Sequence, residues 1–477
     1  MTPTSAEAQH RASNWLVASH AYGLVAALVM GYFLLRIPIQ IHDCFTEMCA
    51  LLQPMGRLVH DAFTLPGYFR PGRWVFMKVV FDVSGGQYFT AFRTTQALQV
   101  VALVVLFVGQ LRPRRAIDAA LVPLGIAVLL GSHTFEWTVR EAFPINHFLT
   151  IIVCCAAAVR LALLRHHWWN DVAAAALFIL AATTLESGLL VWVIVAGGYL
   201  LGMRGVSRAG VAAVTALVVA YFVTRFLVLD VGTPSLTLRE AGFGFRRYSG
   251  DELQAMFGSR PLVFYAYNVV ASFVTVLLSE PRHGVWSLTA GIMGGSPQPA
   301  LVVNVVSSVL ATAVICRFAW IRRRAWIAGR LDDDDRIVLL FGLVLVANAV
   351  ISYPYTKDAI MSPAGVLYAA AVFVAVRDLV VSLPARTRLG AVAASLVLLL
   401  LSSTWAIRWV GMHAALDRTA MDYRTQWARV DEIMPRMRGN LTPAEKALRD
   451  TLFDDAIRRV PARTGMRDEW TELFDTD

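Results

Sequence analysis

The sequence predicts an all-α fold, a polytopic transmembrane helical bundle, and three observations carry that prediction. Apolar residues run unbroken for helix-spanning lengths, arginines collect at every second helix exit, and no period-two alternation of the barrel kind appears. The chain is 57% apolar with a mean hydropathy of +0.56. Soluble domains hold roughly 45–50% apolar residues, so the excess here calls for an apolar solvent. A stretch of about 20 apolar residues crosses lipid as a helix because only intrahelical bonds can satisfy its backbone there.

Eleven such runs are expected: Trp15–Arg36, Phe89–Leu111, Ala116–Gly131, Asn146–Leu164, Val172–Leu185, Leu189–Leu201, Val211–Leu229, Ala300–Ala319, Ile337–Ile351, Ser362–Leu383 and Leu389–Val410. The net charge of +9 is mostly arginine in short loops, which reads as topology and excludes nucleic-acid binding as a role. Arg112, Arg114 and Arg115 follow the second run, Arg165 the fourth, Arg204 and Arg208 the sixth, Arg317 and Arg322–Arg324 the eighth, Arg386 and Arg388 the tenth. The N-terminus is therefore expected in the cytoplasm and the C-terminus outside, in a bacterial inner membrane. No A-x-A-like cleavage site precedes the first run, which reads as a retained helix.

Leu262–Leu278 is also apolar, but a crossing there would move Arg322–Arg324 to the outer side. It is expected as a re-entrant or interfacial helix in an outer loop at 230–299. Asp332–Asp335 reads as a solvated cytoplasmic loop. The transmembrane module spans 1–411, with outer loops at 37–88 and 230–299. The tail at 412–477 is polar, and Thr442-Pro443-x-Glu445 announces a helix over Thr442–Arg459. Cys154, Cys155 and Cys316 read as packing residues; Cys44 and Cys49 share the first outer loop and either bridge or stay reduced.

Ionisable groups are costly near lipid, so their placement is the functional signal. The acids, histidines and aromatics mix on the outer side. His42, Asp43 and Glu47 follow the first run, then Arg70 and Arg73. His133, Glu136, Trp137, Arg140 and His147 follow the third run, Glu186 sits in the fifth-to-sixth turn, and Tyr353, Tyr355, Lys357 and Asp358 occupy the ninth-to-tenth turn. Asp43 is placed to act as a general base. Arg70, Arg140 and Lys357 can hold a phosphate, and Glu186 can orient a hydroxyl. No spacing here is that of a metal site, so no divalent metal or other cofactor is expected.

Phe69-Arg70-Pro71-Gly72-Arg73-Trp74, with Phe81–Tyr88 and Gln96 after it, resembles the "RP…FG…FH" region of the GT-C superfamily of membrane glycosyltransferases. The likeness is greatest to the protein O-mannosyltransferase and tetratricopeptide-bearing types. His133–Arg140 looks like that group's "HP…EAVAW…R" loop and Thr183–Gly188 like its "KE-x-G" turn, with Thr134 and Leu185 in place of the family's proline and lysine. No tetratricopeptide array follows the last run. The resemblance implies transfer of a sugar from a polyprenyl-phosphate donor to a glycan, lipid or protein acceptor outside the cytoplasm. It implies Asp43 as the base and Arg70, His133, Arg140, Glu186, Tyr355 and Lys357 around the substrates. The competing expectation is a transporter or a non-catalytic lipid-binding membrane scaffold, which would use the same polar groups to line a pathway or a headgroup pocket.

Overall fold

The computed structural model describes residues 5–64, 69–140, 147–230, 235–238, 240–280, 286–354, 358–383 and 387–460. The side chains of residues 5–12, Asp43, Trp137 and 436–438 lie outside that description. The structure is 82% helical, with sheet limited to the antiparallel ribbon β1 (Ala241–Phe243) and β2 (Arg246–Tyr248), so the chain is an all-α membrane bundle.

The helices run in order as α1 (Ser5–Leu34), α2 (Asp43–Ala50), α3 (Met55–Thr64), α4 (Pro71–Ser84), α5 (Thr94–Leu111), α6 (Ala116–Gly131) and α7 (His133–Arg140). Next come α8 (His147–Leu163), α9 (Trp168–Ala182), α10 (Leu190–Leu200), α11 (Arg208–Phe222), α12 (Gly250–Phe257), α13 (Pro261–Leu278) and α14 (Ser287–Met293). The last are α15 (Pro299–Ile327), α16 (Asp333–Ile351), α17 (Ser362–Val381), α18 (Arg388–Ala428), α19 (Val430–Arg438) and α20 (Pro443–Arg459). Seven described helical segments are long and apolar enough to cross a membrane, or eight if the bent pair α6–α7 is one span; α8, α9 and the segment Glu186–Leu200 are apolar but shorter.

Helix α17 is the bundle's axis. It packs on α5, α6, α8, α15, α16 and α18, and almost all of its side chains are buried, including Tyr368 and Phe373. A helix apolar all round belongs at the centre of such a bundle, whereas α11 and α18 keep apolar faces outward to lipid.

Ion pairs mark one end of the bundle. Arg112 meets Asp333 and Arg317 meets Asp378, each at 2.8 Å; Arg322 reaches Asp335 at 2.6 Å, and Arg377 pairs with Asp334. The acidic run 332–335, expected as a solvated loop, is instead the capped start of α16. Asp332 accepts from the Asp335 amide, and Asp335 is fully buried against Arg322 and Trp326. A carboxylate can be buried there because a guanidinium, an indole N–H and a backbone amide all donate to it.

The segment α13 is one of the seven long and apolar enough to cross, and its last turn lies beside Thr312 of α15, five residues before Arg317. Asn268 donates to the Tyr353 carbonyl beyond the far end of α16, while Thr312 of α15 donates to the Leu277 carbonyl and Ser279 meets Ser308 at 2.5 Å. Ser308 lies nine residues before Arg317, or about 14 Å at 1.5 Å per residue. By Trp286 the chain is back beside Tyr267, with the indole N–H donating to its hydroxyl at 2.6 Å.

A second apolar cluster caps the end opposite the ion pairs. Phe45 and Met48 of α2, Met77 and Phe81 of α4, Trp427 of α18 and Leu452 of α20 are buried together. Helix α18 continues to Ala428 without a break at 411, and its Trp427 indole donates to the Ile39 carbonyl at 2.6 Å. The expected tail helix is α20, with Thr442 and Glu445 forming a capping box. Cys44 and Cys49 are both buried and stand five positions apart on one helix, on diverging faces. Cys154 and Cys155 are buried as expected, but Cys316 is exposed on α15 and not a core packing residue.

Candidate functional site

Two glycines bring distant stretches together at the capped end. In the turn Glu186–Leu189, an added Cβ on Gly188 would overlap the Ala181 carbonyl, so only glycine lets the turn fold back onto the end of α9. At the start of α4, Pro71 occupies the first helical turn, where its missing N–H costs nothing, and Gly72 sits so close to Thr183 that a Cβ would collide with its hydroxyl. The Gly72 amide donates to the Thr183 carbonyl at 3.1 Å. Arg70, immediately before that contact, is thereby delivered to Glu186.

The result is a three-way ionic cluster. Arg70 donates to one carboxylate oxygen of Glu186 at 3.1 Å, and Arg225 donates to the other at 3.0 Å. Arg225 also donates to the Tyr221 hydroxyl at 2.8 Å. Arg225 lies in a π-helical turn, Val223–Val228, that ends α11; such turns widen the helix and re-aim a side chain. Burial alone would raise the Glu186 carboxyl, but Arg70 and Arg225 outweigh it and hold the group below its usual range. Among the described residues the cluster sets two guanidiniums on one carboxylate, each engaging a different oxygen.

One turn along α4, Arg73 pairs with Glu47 of α2 at 2.5 Å. Asp43, the expected base, opens α2 one turn before Glu47, so the Glu47–Arg73 pair joins α2 to the helix that Arg70 caps, although the Asp43 side chain itself is outside the described set. Tyr355 and Lys357 also lie outside the described residues.

The other expected site residues form separate pairs. His133 faces the buried Asp358 at 3.9 Å, joining α7 to the turn Asp358–Met361. Arg140 is engaged by Glu136 at 2.8 Å and by the Thr419 hydroxyl at 3.1 Å, which ties it to α18. The Asp358 turn and the Glu186 turn both pack on α16, so the pairs share one end of the bundle. Of the seven residues singled out in the sequence, Arg70 and Glu186 are brought into direct contact, and His133 and Arg140 find other partners. Among the described residues no group of three or more His, Cys, Asp or Glu side chains forms a candidate metal site.

The sequence reading passed over Arg225, Tyr221, Asp358's partnership with His133, and the Glu47–Arg73 pair. Arg225 had a clear signal: a cation inside an otherwise apolar helix has to be paired. A prediction follows from the packing of the turn. Gly188→Ala should push the Glu186 turn off α9 and destabilise the protein by about 1–3 kcal/mol, as overpacking does. Thermal unfolding in detergent would register it, and an unchanged midpoint would contradict the tight approach.

No protein-family model, no curated protein and no solved structure matches this chain, so its geometry and chemistry carry the functional reading.

Proposed function

We propose that the chain is a membrane glycosyltransferase of the GT-C kind, moving a sugar from a polyprenyl-phosphate donor to an acceptor outside the cytoplasm. The observation that supports this reading most is the meeting of Arg70 and Glu186, 116 positions apart, because these are the residues at the centre of the two quoted motifs. Motif likeness alone does not require that contact.

In this reading Arg70 and Arg225 flank the donor phosphate. As the bond from the anomeric carbon to the phosphate oxygen breaks, its electron pair stays on that oxygen, and the two guanidiniums stabilise the growing charge. The acceptor hydroxyl oxygen attacks the anomeric carbon from the opposite face and its proton passes to Asp43, so the sugar's configuration inverts. Glu186 holds both arginines in place through its paired oxygens. Tyr355 and Lys357, outside the described residues, are assigned to the donor phosphate by the motif resemblance alone. The chain crosses the membrane eleven times from a cytoplasmic N-terminus to an external C-terminus in a bacterial inner membrane, with α13 dipping in and returning; cysteine labelling at Ser296 and Gly439, both expected outside, tests the topology.

Asp43→Asn is the direct test. Transfer of radiolabelled sugar from polyprenyl-phosphate donors in membranes should fall by about 10²-fold or more, the usual contribution of a positioned base, with expression unchanged. Undiminished transfer would reject Asp43 as the base.

A further inference from the structure

A cavity of about 950 Å³ opens at the ion-paired end, on the far side of the bundle from the Glu186 cluster. It lies in a groove along α5, between the first half of α1 and the last turns of α8, and Ser13, Leu16 and His20 supply its α1 wall. Among the described residues its charge is one-sided: five arginines, Arg112, Arg114, Arg160, Arg165 and Arg204, face a single acid, Asp333. Asp333 is already shared by Arg112 and Arg336, each at 2.8 Å. Among the described residues Arg160, Arg165 and Arg204 have no ion-pair partner.

The neighbouring cavity, about 340 Å³, shows that this imbalance is local. It is lined by five arginines and five aspartates, and those charges answer one another. Arginines placed only to set topology would turn out to water. Here Arg160 turns inward a full turn before α8 ends, lies across Gly109, where an added Cβ would stand 3.1 Å from its Nε, and shares the cavity wall with Arg112. Two like charges aimed into one cavity are relieved by a ligand that brings negative charge. Val105 belongs to the cavity wall, and beyond the cavity Leu98 continues the same face of α5 seven positions away; both are exposed to the surroundings of the bundle, at 41% and 62%. A phosphate at the arginines and a hydrocarbon chain along that stripe would satisfy both halves of the groove.

We propose that this groove binds an anionic glycerophospholipid, its phosphate among Arg112, Arg160 and Arg204 and an acyl chain along Val105 and Leu98. The site is distinct from the donor pocket and independent of the glycosyltransferase reading. Its occupant is recognised by a phosphodiester charge together with a hydrocarbon tail, and a soluble phosphate would supply only the first.

The full chain, purified in detergent and read by native mass spectrometry, tests this with three probes: dioleoyl phosphatidylglycerol, dioleoyl phosphatidylcholine and inorganic phosphate. Phosphatidylglycerol should be retained at least about tenfold over phosphatidylcholine, and the double variant Arg160→Gln/Arg204→Gln should remove most of that preference. A control that deletes equal charge from the hairpin, Arg246→Gln/Arg247→Gln, should leave it intact. Equal retention of both lipids overturns the proposal, as does complete displacement by millimolar inorganic phosphate, which would assign the site to a soluble anion. Should the double variant fail to purify, the wild-type chain still decides the matter, because phosphatidylglycerol must raise its unfolding temperature more than phosphatidylcholine does.

Discussion

Exchanging Glu186 for glutamine is expected to lower sugar transfer by roughly 10²-fold and to destabilise the protein by about 2 kcal/mol. The carboxylate is the shared partner of Arg70 and Arg225, and its removal takes away the charge that bridges the two guanidiniums. Breaking a buried ion pair from one side costs roughly 3–5 kcal/mol. The Glu186 side chain is 25% exposed, so water relieves part of that cost and the lower figure applies. The effect on transfer is larger than the effect on stability because a displacement of about 1 Å in a positioning group can cost 10²-fold.

The same cluster predicts a dependence on acid. Arg70 and Arg225 hold the Glu186 carboxyl below its ordinary value, so the folded protein favours the ionised form more than the unfolded chain does. The stabilisation is fully present above the ordinary carboxylate range and is lost as pH falls through the depressed folded value. Unfolding temperature should therefore drop on acidification more steeply in the wild type than in Glu186→Gln, and parallel curves would remove Glu186 from the account. The double variant Glu186→Gln/Arg225→Met separates the two roles, since deleting both partners should recover stability without recovering transfer.

What the sequence made legible and what it hid divide along a physical line. The all-α membrane class could be read because long apolar runs obey rules set by the bilayer, and the α20 capping box is a purely local signal; helix ends were harder, since α15 runs on past Arg322–Arg324 to Ile327 and α18 past Val410 to Ala428. Glu186 and Arg70 were found because a charge in a tight apolar turn and an Arg-Pro pair stand out from their neighbours. Their contact was out of reach, since it depends on Gly72 and Gly188 allowing backbones to approach, and a glycine's spatial neighbour is not written beside it. The acidic run at 332–335 misled for a related reason. Four aspartates look solvated until the tertiary fold brings Arg112, Arg322 and Arg377 to them. Arg225 and Arg408 are legible in principle, because each is a cation in an otherwise apolar stretch of helix, whereas the loop charges are common at any membrane surface.

Arg408 carries the second large expectation. It is 5% exposed within α18 and stacks over Trp405 with its guanidinium carbon 3.9 Å from the ring centroid. It donates to the Gly131 carbonyl at the end of α6, to Asn304, Ser307 and Ser308 of α15, and to Ser279 at the end of α13. No carboxylate is among these partners. The cation is held by carbonyls and hydroxyls, including the partly negative C-terminus of α6. Arg408 thus pins three helices to α18 at the depth where α13 stops, and it explains why α13 halts there: the Ser279 hydroxyl that ends the helix finds Arg408 and Ser308. Replacement by methionine keeps much of the side chain's bulk and removes every donor. Each buried acceptor left unpaired costs about 1–3 kcal/mol, so Arg408→Met should lose roughly 3–5 kcal/mol after the serines have paired with each other. Lysine should recover only part of this, because a single ammonium cannot span carbonyls on α6 and α15 together with the α13 hydroxyl. Unfolding in detergent gives the magnitude, and protease cleavage between α13 and α15 gives the mechanism. Loss of the pin should expose that segment before the rest of the bundle opens, whereas simultaneous opening would mean that α13 is held by α15 and α16 alone.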